Sequence, residues 1–187
     1  MPRRTDTRER MVRTAAQLFH AQGYHATGLN QVLAEGGAPK GSLYFHFPGG
    51  KEQLAAEAVT LAGGELCHAL RAVLEATPDP VEALDQALRL LGDQLAASDF
   101  THGCPIATVA LDASAESEPI RGACVDVYDS WQQVIAEHLD RADADELAVV
   151  VLAAIEGAVL LARTRRDLSP LHAVGARLGV LLGRHPG

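Results

Sequence analysis

Apolar residues recur at helical spacing along almost the whole chain, and this pattern most constrains the fold. Leu and Ala are frequent, aromatic residues make up only 4% of the sequence, and no segment shows the apolar–polar alternation that indicates a strand. Clusters of Gly and Pro divide the chain into segments of helical length. The pattern therefore predicts an all-α fold of about nine helices.

Turn-forming residues place the predicted helices along the chain. The helices are expected to cover about residues 6–22, 28–35, 39–47, 51–77, 81–98, 105–115, 119–141, 145–167 and 170–182. Pro39 fits the first turn of the third helix, because its missing N–H is not needed there. Pro48-Gly49-Gly50 ends that helix.

The charge of the chain is distributed unevenly. The formal net charge is -8, which by itself disfavours a nucleic-acid binder. Residues 1–54 nevertheless hold seven Lys and Arg against four Asp and Glu, a net +3, whereas residues 55–187 carry a net -11. A locally basic segment can bind phosphates while an acidic remainder stays soluble. Ordinary fluctuation explains a difference of this size equally well, so charge alone leaves both interpretations open.

The cysteines and the apolar segments bear on where the protein works. Cys67, Cys104 and Cys124 are odd in number and widely spaced, which favours a reducing compartment over a disulfide framework. No signal peptide is recognisable at the N-terminus. The longest apolar run, Leu147–Ala162, contains Glu156 and is shorter than the roughly 20 residues of a membrane span. We therefore expect a cytoplasmic protein that has no membrane contact.

Two short predicted helices joined by a Gly-containing turn follow a longer one, as in a helix-turn-helix. The second of the pair could lie in a major groove with its leading residues on base edges. Lys40 offers a positive charge to a phosphate or a guanine. Gly41 is unfavourable inside a helix but lets DNA approach closely. Leu43 and Phe47 should face the core.

Polar and aromatic side chains around this helix complete the candidate DNA-binding set. Tyr44 and His46 could reach phosphates, Phe45 could contact a thymine methyl or merely pack, and Lys51 adds positive charge at the next helix. The predicted set is Thr27, Pro39, Lys40, Gly41, Ser42, Tyr44, Phe45, His46 and Lys51.

Residues 37–47, Gly-Ala-Pro-Lys-Gly-Ser-Leu-Tyr-Phe-His-Phe, and Lys51-Glu52-Gln53-Leu54 closely resemble the recognition-helix signature of TetR-family transcriptional regulators. The resemblance covers about residues 8–55. Gly103-Cys104-Pro105 and the residues after it resemble the C-terminal domain of the TetR subgroup related to LmrA and YxaF. Two features depart from the family pattern. The loop Pro48-Gly49-Gly50-Lys51 is one residue longer than usual, and Pro39 replaces a Ser or Thr.

The resemblance implies a division of labour along the chain. Residues 1–50 would form the helix-turn-helix DNA-binding domain, and residues 51–187 a larger helical domain for ligand binding and dimerisation. A homodimer is expected on double-stranded operator DNA, because two recognition helices address two half-sites. The expected function is that of a repressor, not an enzyme, which a small-molecule effector releases from its operator. No catalytic residue, cofactor or metal is expected.

Two further sets of residues are predicted in the acidic remainder. Small and apolar residues of the last two helices would pair with a second subunit, unless they complete the core of the monomer. This dimer set is Val150, Val151, Ala154, Ala158, Leu161, Leu171, Val174 and Leu178. An apolar or aromatic effector would contact residues that could equally be core. This ligand set is Phe100, Cys104, Tyr128, Trp131 and Ile135.

Two other functions stay open. A thiol-sensing regulator of the same fold would use one or more of the three cysteines. An all-helical small-molecule carrier or enzyme would have to use scattered His and Asp residues. The sequence contains neither a phosphate-binding loop nor a Gly-x-Ser-x-Gly motif.

Overall fold

The computed structural model describes residues 4–183, which form nine α-helices and contain no strand. The helices are α1 (Arg4–Gln22), α2 (Leu29–Glu35), α3 (Leu43–His46), α4 (Gly50–Ala76), α5 (Pro80–Ala97), α6 (Ala107–Ala113), α7 (Glu118–Leu139), α8 (Ala144–Arg165) and α9 (Ser169–Leu182). The predicted all-α fold is confirmed, and most predicted helix ends lie close to the observed ones.

The chain packs as two compact units. Unit 1 contains the residues up to Glu65 together with Pro105–Tyr128, and unit 2 contains Leu66–Cys104 together with the residues from Asp129 onward. Helices α4 and α7 each contribute residues to both units. These units are defined by packing alone. The division at residue 50 into a DNA-binding domain and a domain for ligand binding and dimerisation stays a prediction.

Unit 1 buries one apolar stripe from each of its helices. The recurrence of apolar residues every three to four positions places them on one side of each helix, where they leave water together. From α1 to the first turns of α4, the buried set is Met11, Val12, Ala15, Phe19, Val32, Leu33, Leu43, Phe47, Leu54, Ala55, Ala58 and Val59. Leu43 and Phe47 thus face the core, as predicted.

Gly23 and Asp112 fix the C-terminal end of α1. Gly23 has φ +85° and donates its N–H to Phe19 O at 2.9 Å, which ends the helix. The next N–H, of Tyr24, donates to the Asp112 carboxylate at 3.0 Å. His25 Nε2 lies 2.9 Å from the backbone oxygen of Asp112. The entry to the helix-turn-helix is therefore held against α6 within unit 1.

The third helix is shorter than predicted. α3 covers only Leu43–His46, and residues 39–42 form a turn. In that turn the N–H and the hydroxyl of Ser42 both donate to Pro39 O, at 2.9 and 2.7 Å. The prediction of a helix over residues 39–47 is therefore wrong in its first half. Pro39 supplies no N–H, Gly41 has low helix propensity, and Ser42 satisfies the free carbonyl locally.

Helices α5, α8 and α9 form the core of unit 2. Among the described residues, α8 is the one helix that is long and apolar enough to cross a membrane by length and composition. The apolar run at 147–162 is too short for a membrane span, but α8 extends beyond this run at both ends and is 22 residues long. One face of α8, including Val151, Ile155 and Val159, is buried in the core cluster of unit 2. Burial of this kind is typical of a core helix in a globular protein.

Candidate DNA-binding surface and ligand cavity

Residues 39–46, here called the recognition segment, expose aromatic and basic side chains close together in the chain. Tyr44 and Phe45 are 67% and 62% exposed, while Leu43 beside them is buried. Lys40 and Gly41 are also exposed. Two neighbouring aromatic rings in water are unusual for a surface without a partner. The segment therefore has the composition of a binding surface.

Gly41 has no structural requirement to be glycine. No atom lies within 4 Å of the position that a Cβ would take, and its backbone is outside the positive-φ region. Alanine would therefore fit the folded protein and would restrict the unfolded chain more. A close approach by a partner would explain a glycine at this exposed position.

The other polar members of the recognition segment are partly engaged. Ser42 already donates its hydroxyl to Pro39 O, so donation to a phosphate requires that this bond break. His46 is partly buried, and its ring packs edge-on to Phe45 with centroids 5.0 Å apart. Pro39 is exposed. As DNA contacts, these three residues stay predictions.

Thr27 was wrongly included in the predicted DNA-binding set. It is fully buried, and its hydroxyl donates to Gly23 O at 2.7 Å and accepts from Gln22 Nε2 at 3.2 Å. The hydroxyl therefore stabilises the turn before α2 and is not presented to solvent. A hydroxyl next to a helix start has the same sequence signal in either role, so sequence alone did not separate them.

Lys51 lies in the first turn of α4, against an aromatic ring. Its Nζ is 4.3 Å from the ring centre of Tyr24, a cation–π contact. Burial lowers the pKa of Lys51. Burial, followed by the charges of Glu52 and Glu116, raises the pKa of Tyr24. The contact restrains the position of the Lys51 ammonium group.

Three N-terminal arginines form ion pairs within unit 1. The pairs are Arg8–Glu57 at 2.6 Å, Arg10–Asp6 at 2.7 Å and Arg13–Glu65 at 2.9 Å. Surface pairs contribute little to stability, but each carboxylate reduces the positive potential around its arginine. The net +3 of residues 1–54 therefore overstates the basic surface. Lys40 and Lys51 are the basic residues nearest in sequence to α3.

Unit 2 contains an apolar cavity in which leucine is the most frequent lining residue. The volume of the cavity that is accessible to a water-sized sphere is about 80 Å³. The leucines are Leu66, Leu70, Leu74, Leu84, Leu91, Leu95, Leu139, Leu152 and Leu182. Three members of the predicted ligand set, Cys104, Trp131 and Ile135, also line this cavity. Trp131 is the single tryptophan of the chain and is 1% exposed.

Phe100 and Tyr128, the other two members of that set, are absent from the lining of this cavity. Phe100 packs against the core cluster of unit 2. Tyr128 belongs to unit 1, whereas the lining comes entirely from unit 2. As ligand contacts, Phe100 and Tyr128 stay predictions.

Two ionisable groups of the cavity are missing from the predicted set. Burial raises the pKa of Glu156 on α8, and a hydrogen bond with the Cys104 thiol acts in the opposite direction. His138 on α7 also lines the cavity, and its Nε2 is buried without a hydrogen-bond partner among residues 4–183. The sequence could have pointed to Glu156, because it is a charged residue within an apolar run.

The face of α8 opposite the core is apolar and exposed. Its large side chains are between 47% and 56% exposed, and Gly157 has open space where a Cβ would lie. We call this face the α8 stripe. It comprises Val149, Val150, Ala153, Gly157, Leu160 and Leu161. Val150 and Leu161 belong to the predicted dimer set.

The other members of the dimer set face the core of unit 2. Val151, Ala158, Leu171 and Leu178 are buried, and Ala154 and Val174 pack against the same cluster. The burial of Val151, Ala158, Leu171 and Leu178 corrects their prediction at the subunit interface. Ala154 and Val174 are only partly buried, and at the interface they stay predictions. A helix that is apolar on all sides does not reveal from sequence which side meets its own core.

Two family models match the chain. Residues 12–58 match the model of bacterial regulatory proteins of the tetR family. Residues 80–177 match that of the LmrA/YxaF-like transcriptional regulator C-terminal domain. The first match contains the recognition segment, and the second contains most of the cavity lining and the α8 stripe.

Whole-chain comparisons agree. The chain is 39% identical to the uncharacterized HTH-type transcriptional regulator YxaF of Bacillus subtilis, covering 97% of this chain and 98% of that protein. It is 41% identical to the HTH-type transcriptional regulator LmrA of that species, with coverage of 96% and 98%.

Solved structures show the same fold. A TetR transcriptional regulator from Chloroflexus aurantiacus has a TM-score of 0.79 at 31% identity, covering 97% of this chain and 96% of that one. The regulatory protein TetR from Rhodobacter sphaeroides has a TM-score of 0.81 at 22% identity, with coverage of 91% and 96%. The chain belongs to the TetR family of bacterial transcriptional regulators, in its LmrA/YxaF-like group.

Proposed function

We propose that this regulator is a repressor whose two copies place their recognition segments in successive major grooves of an operator. The observation that carries the proposal is the exposure of Tyr44 and Phe45 beside Lys40 and Gly41, on a turn and helix anchored by buried Leu43. Lys40 would contact a phosphate or guanine, Tyr44 a phosphate, and Phe45 a thymine methyl. Pro39, Ser42, His46 and Lys51 complete the proposed contact set.

The α8 stripe is the proposed centre of the dimer interface. Exposed apolar side chains in a continuous row favour association, because a second copy would remove them from water. In a two-fold dimer the stripe would meet its own counterpart, so one surface serves both subunits. Gly157 would let the two helices approach closely. On α9, exposed Val180 and Leu181 are added to the proposed interface.

The leucine-lined cavity is the proposed effector site. A ligand releases the operator if it prefers the conformation in which the two recognition segments do not match successive grooves. Each 1.4 kcal/mol of that preference lowers operator affinity about tenfold. α4 and α7 contain residues of both units, which supports them as the route of this coupling. A repressor of chromosomal genes would act in the cytoplasm.

Fluorescence anisotropy with a labelled operator tests the DNA claim. The operator is first selected by the protein from a random duplex library, and a shuffled duplex serves as control. We expect selective binding whose affinity falls by orders of magnitude between about 50 and 200 mM salt. A small-molecule carrier or an enzyme of this fold would bind both duplexes equally or not at all, and this result would reject the proposal.

Lys40→Ala and Tyr44→Phe should each weaken operator binding by about tenfold, since each removes one phosphate or base contact. Lys40→Ala should also lower the slope of log affinity against log salt by about one if it contacts a phosphate. Arg89→Ala is the matched control, because Arg89 is exposed in unit 2 and pairs with Asp85. Unchanged anisotropy titrations for both variants would contradict the assigned contacts.

Gly41→Ala should leave the melting temperature unchanged or slightly raised and reduce operator affinity about tenfold or more. The Cβ meets no atom of the folded protein, but a DNA surface in close contact would collide with it. Gly122→Ala, in open space on α7, controls for the substitution. If Gly41→Ala binds the operator as well as the unmodified protein, no DNA surface lies against this residue.

The environments of Cys104 and Cys124 give the thiol-sensing alternative little support. Burial raises the pKa of the Cys124 thiol, which disfavours the reactive thiolate. The Cys104 thiol is buried and hydrogen-bonds a carboxyl group, which also disfavours a negative charge on sulfur. We therefore prefer ligand binding in the cavity to oxidation as the releasing signal.

A further inference from the structure

The walls of the unit 2 cavity are suited to hydrocarbon. Leucines from α4, α5, α7, α8 and α9 are the most frequent residues of the lining, and no Lys or Arg is among its described members. Burying a carboxylate-bearing ligand against such walls would leave its charge without a Lys or Arg counter-ion among these lining residues, which is unfavourable in free energy. The cavity is therefore unsuited to anions.

Glu156, Cys104 and His138 give the cavity a limited hydrogen-bonding capacity. The Glu156 carboxyl group hydrogen-bonds the Cys104 thiol, and the described lining contains no Lys or Arg to pair with it. Burial favours its protonated form, which presents one O–H donor and one carbonyl acceptor. The buried Nε2 of His138 lacks a partner among the described residues. A bound molecule that satisfies such groups gains specificity, since unpaired buried polar atoms are costly.

We propose that the effector is an uncharged molecule, hydrocarbon over most of its length, with a hydroxyl or carbonyl group that hydrogen-bonds Glu156 or His138. Glu156 determines specificity by excluding carboxylates of the same shape. The inference rests on the proposed function, because it gives the chemical class of the effector that the cavity would bind.

Three probes with the same alkyl chain test the inference: 1-octanol, octanoate and octylammonium at pH 7.5. Trp131 lines the cavity and is the single tryptophan, so its emission reports occupancy, and calorimetry measures each affinity independently. We expect 1-octanol to bind at least tenfold more tightly than octanoate and more tightly than octylammonium.

Glu156→Gln makes the test specific to the carboxyl group. Glutamine keeps the shape of glutamate but cannot ionise. Octanol affinity should therefore change by less than about threefold, while octanoate affinity should rise at least fivefold, because no second carboxylate can form beside the bound one. Glu146→Gln is the matched control, because Glu146 is exposed on the same helix. Circular dichroism confirms that both variants fold.

Three results would overturn the inference. The first is that octanoate binds as tightly as octanol. The second is that octylammonium binds most tightly and loses its affinity in Glu156→Gln, which would indicate a site for cations. The third is that none of the probes binds saturably.

Operator binding is measured separately, with and without 1-octanol. Failure of the probe-free protein to bind an operator rejects the proposed function. If the protein still binds the operator when octanol is bound, octanol does not release the DNA. The conclusion about which class of ligand the cavity binds is then unaffected.

Discussion

Leu160→Glu should convert the dimeric regulator to monomers and lower its operator affinity by at least 100-fold. Leu160 is 56% exposed on the α8 stripe, so a glutamate there fits the monomer. In a two-fold dimer the charge would be buried twice, at about 3 kcal/mol or more for each unpaired copy. A monomer would retain one recognition segment and lose the gain in affinity from binding two half-sites together.

Sedimentation equilibrium and operator anisotropy on the same samples measure this effect. Leu111→Glu is the matched control, because Leu111 is 80% exposed on α6, outside the stripe. The control should remain dimeric. If Leu160→Glu stays dimeric at micromolar concentration, with unchanged operator affinity, the α8 stripe is not the interface.

Gly23→Ala should destabilise the protein by about 3 kcal/mol. The residue has φ +85°, a conformation that costs an L-amino acid about 1–2 kcal/mol. The added Cβ would also overlap the Asp112 Oδ2 atom and come within 3.3 Å of Thr108 Cγ2. Moving the carboxylate aside would break its hydrogen bond with the Tyr24 N–H, with a further loss of about 1–2 kcal/mol.

Urea unfolding followed by circular dichroism measures this loss. Gly64→Ala, in open space within α4, should instead leave stability unchanged or raise it by up to about 1 kcal/mol. In the Asp112→Ala background, Gly23→Ala should cost less, because the overlap is absent and only the backbone strain is left. Equal stability of Gly23→Ala and Gly64→Ala would show that the α1 end is not restrained as described.

The sequence was informative about unit 1 because its signals are local. α1 ends at residue 22, as predicted, and Leu43 and Phe47 face the core, because a glycine after a helix and apolar residues at helical spacing act within a few positions. Two local signals were misread. Pro39, predicted in the first turn of a helix, begins a turn, and Thr27, predicted as a DNA contact, stabilises the turn before α2.

The cavity was only partly predictable. Cys104, Trp131 and Ile135 were expected at a ligand site and do line a cavity. Glu156 was not expected there, because its environment depends on how α8 packs. A charged residue in an apolar run can face solvent, a subunit interface or a cavity, and sequence spacing does not distinguish these.

The sequence by itself determined the helical fold, the helix-turn-helix and the family, since these follow from periodicity, turn residues and a contiguous motif. Only the tertiary structure decided which side of α8 is core and which side is free for a partner. Val151 and Ala158 were expected at the interface and are buried, whereas Val149 and Leu160 are exposed. The physical reason is that an α-helix apolar on all sides has nearly equal transfer free energy for either face, so the packing of α5 and α9 makes the choice.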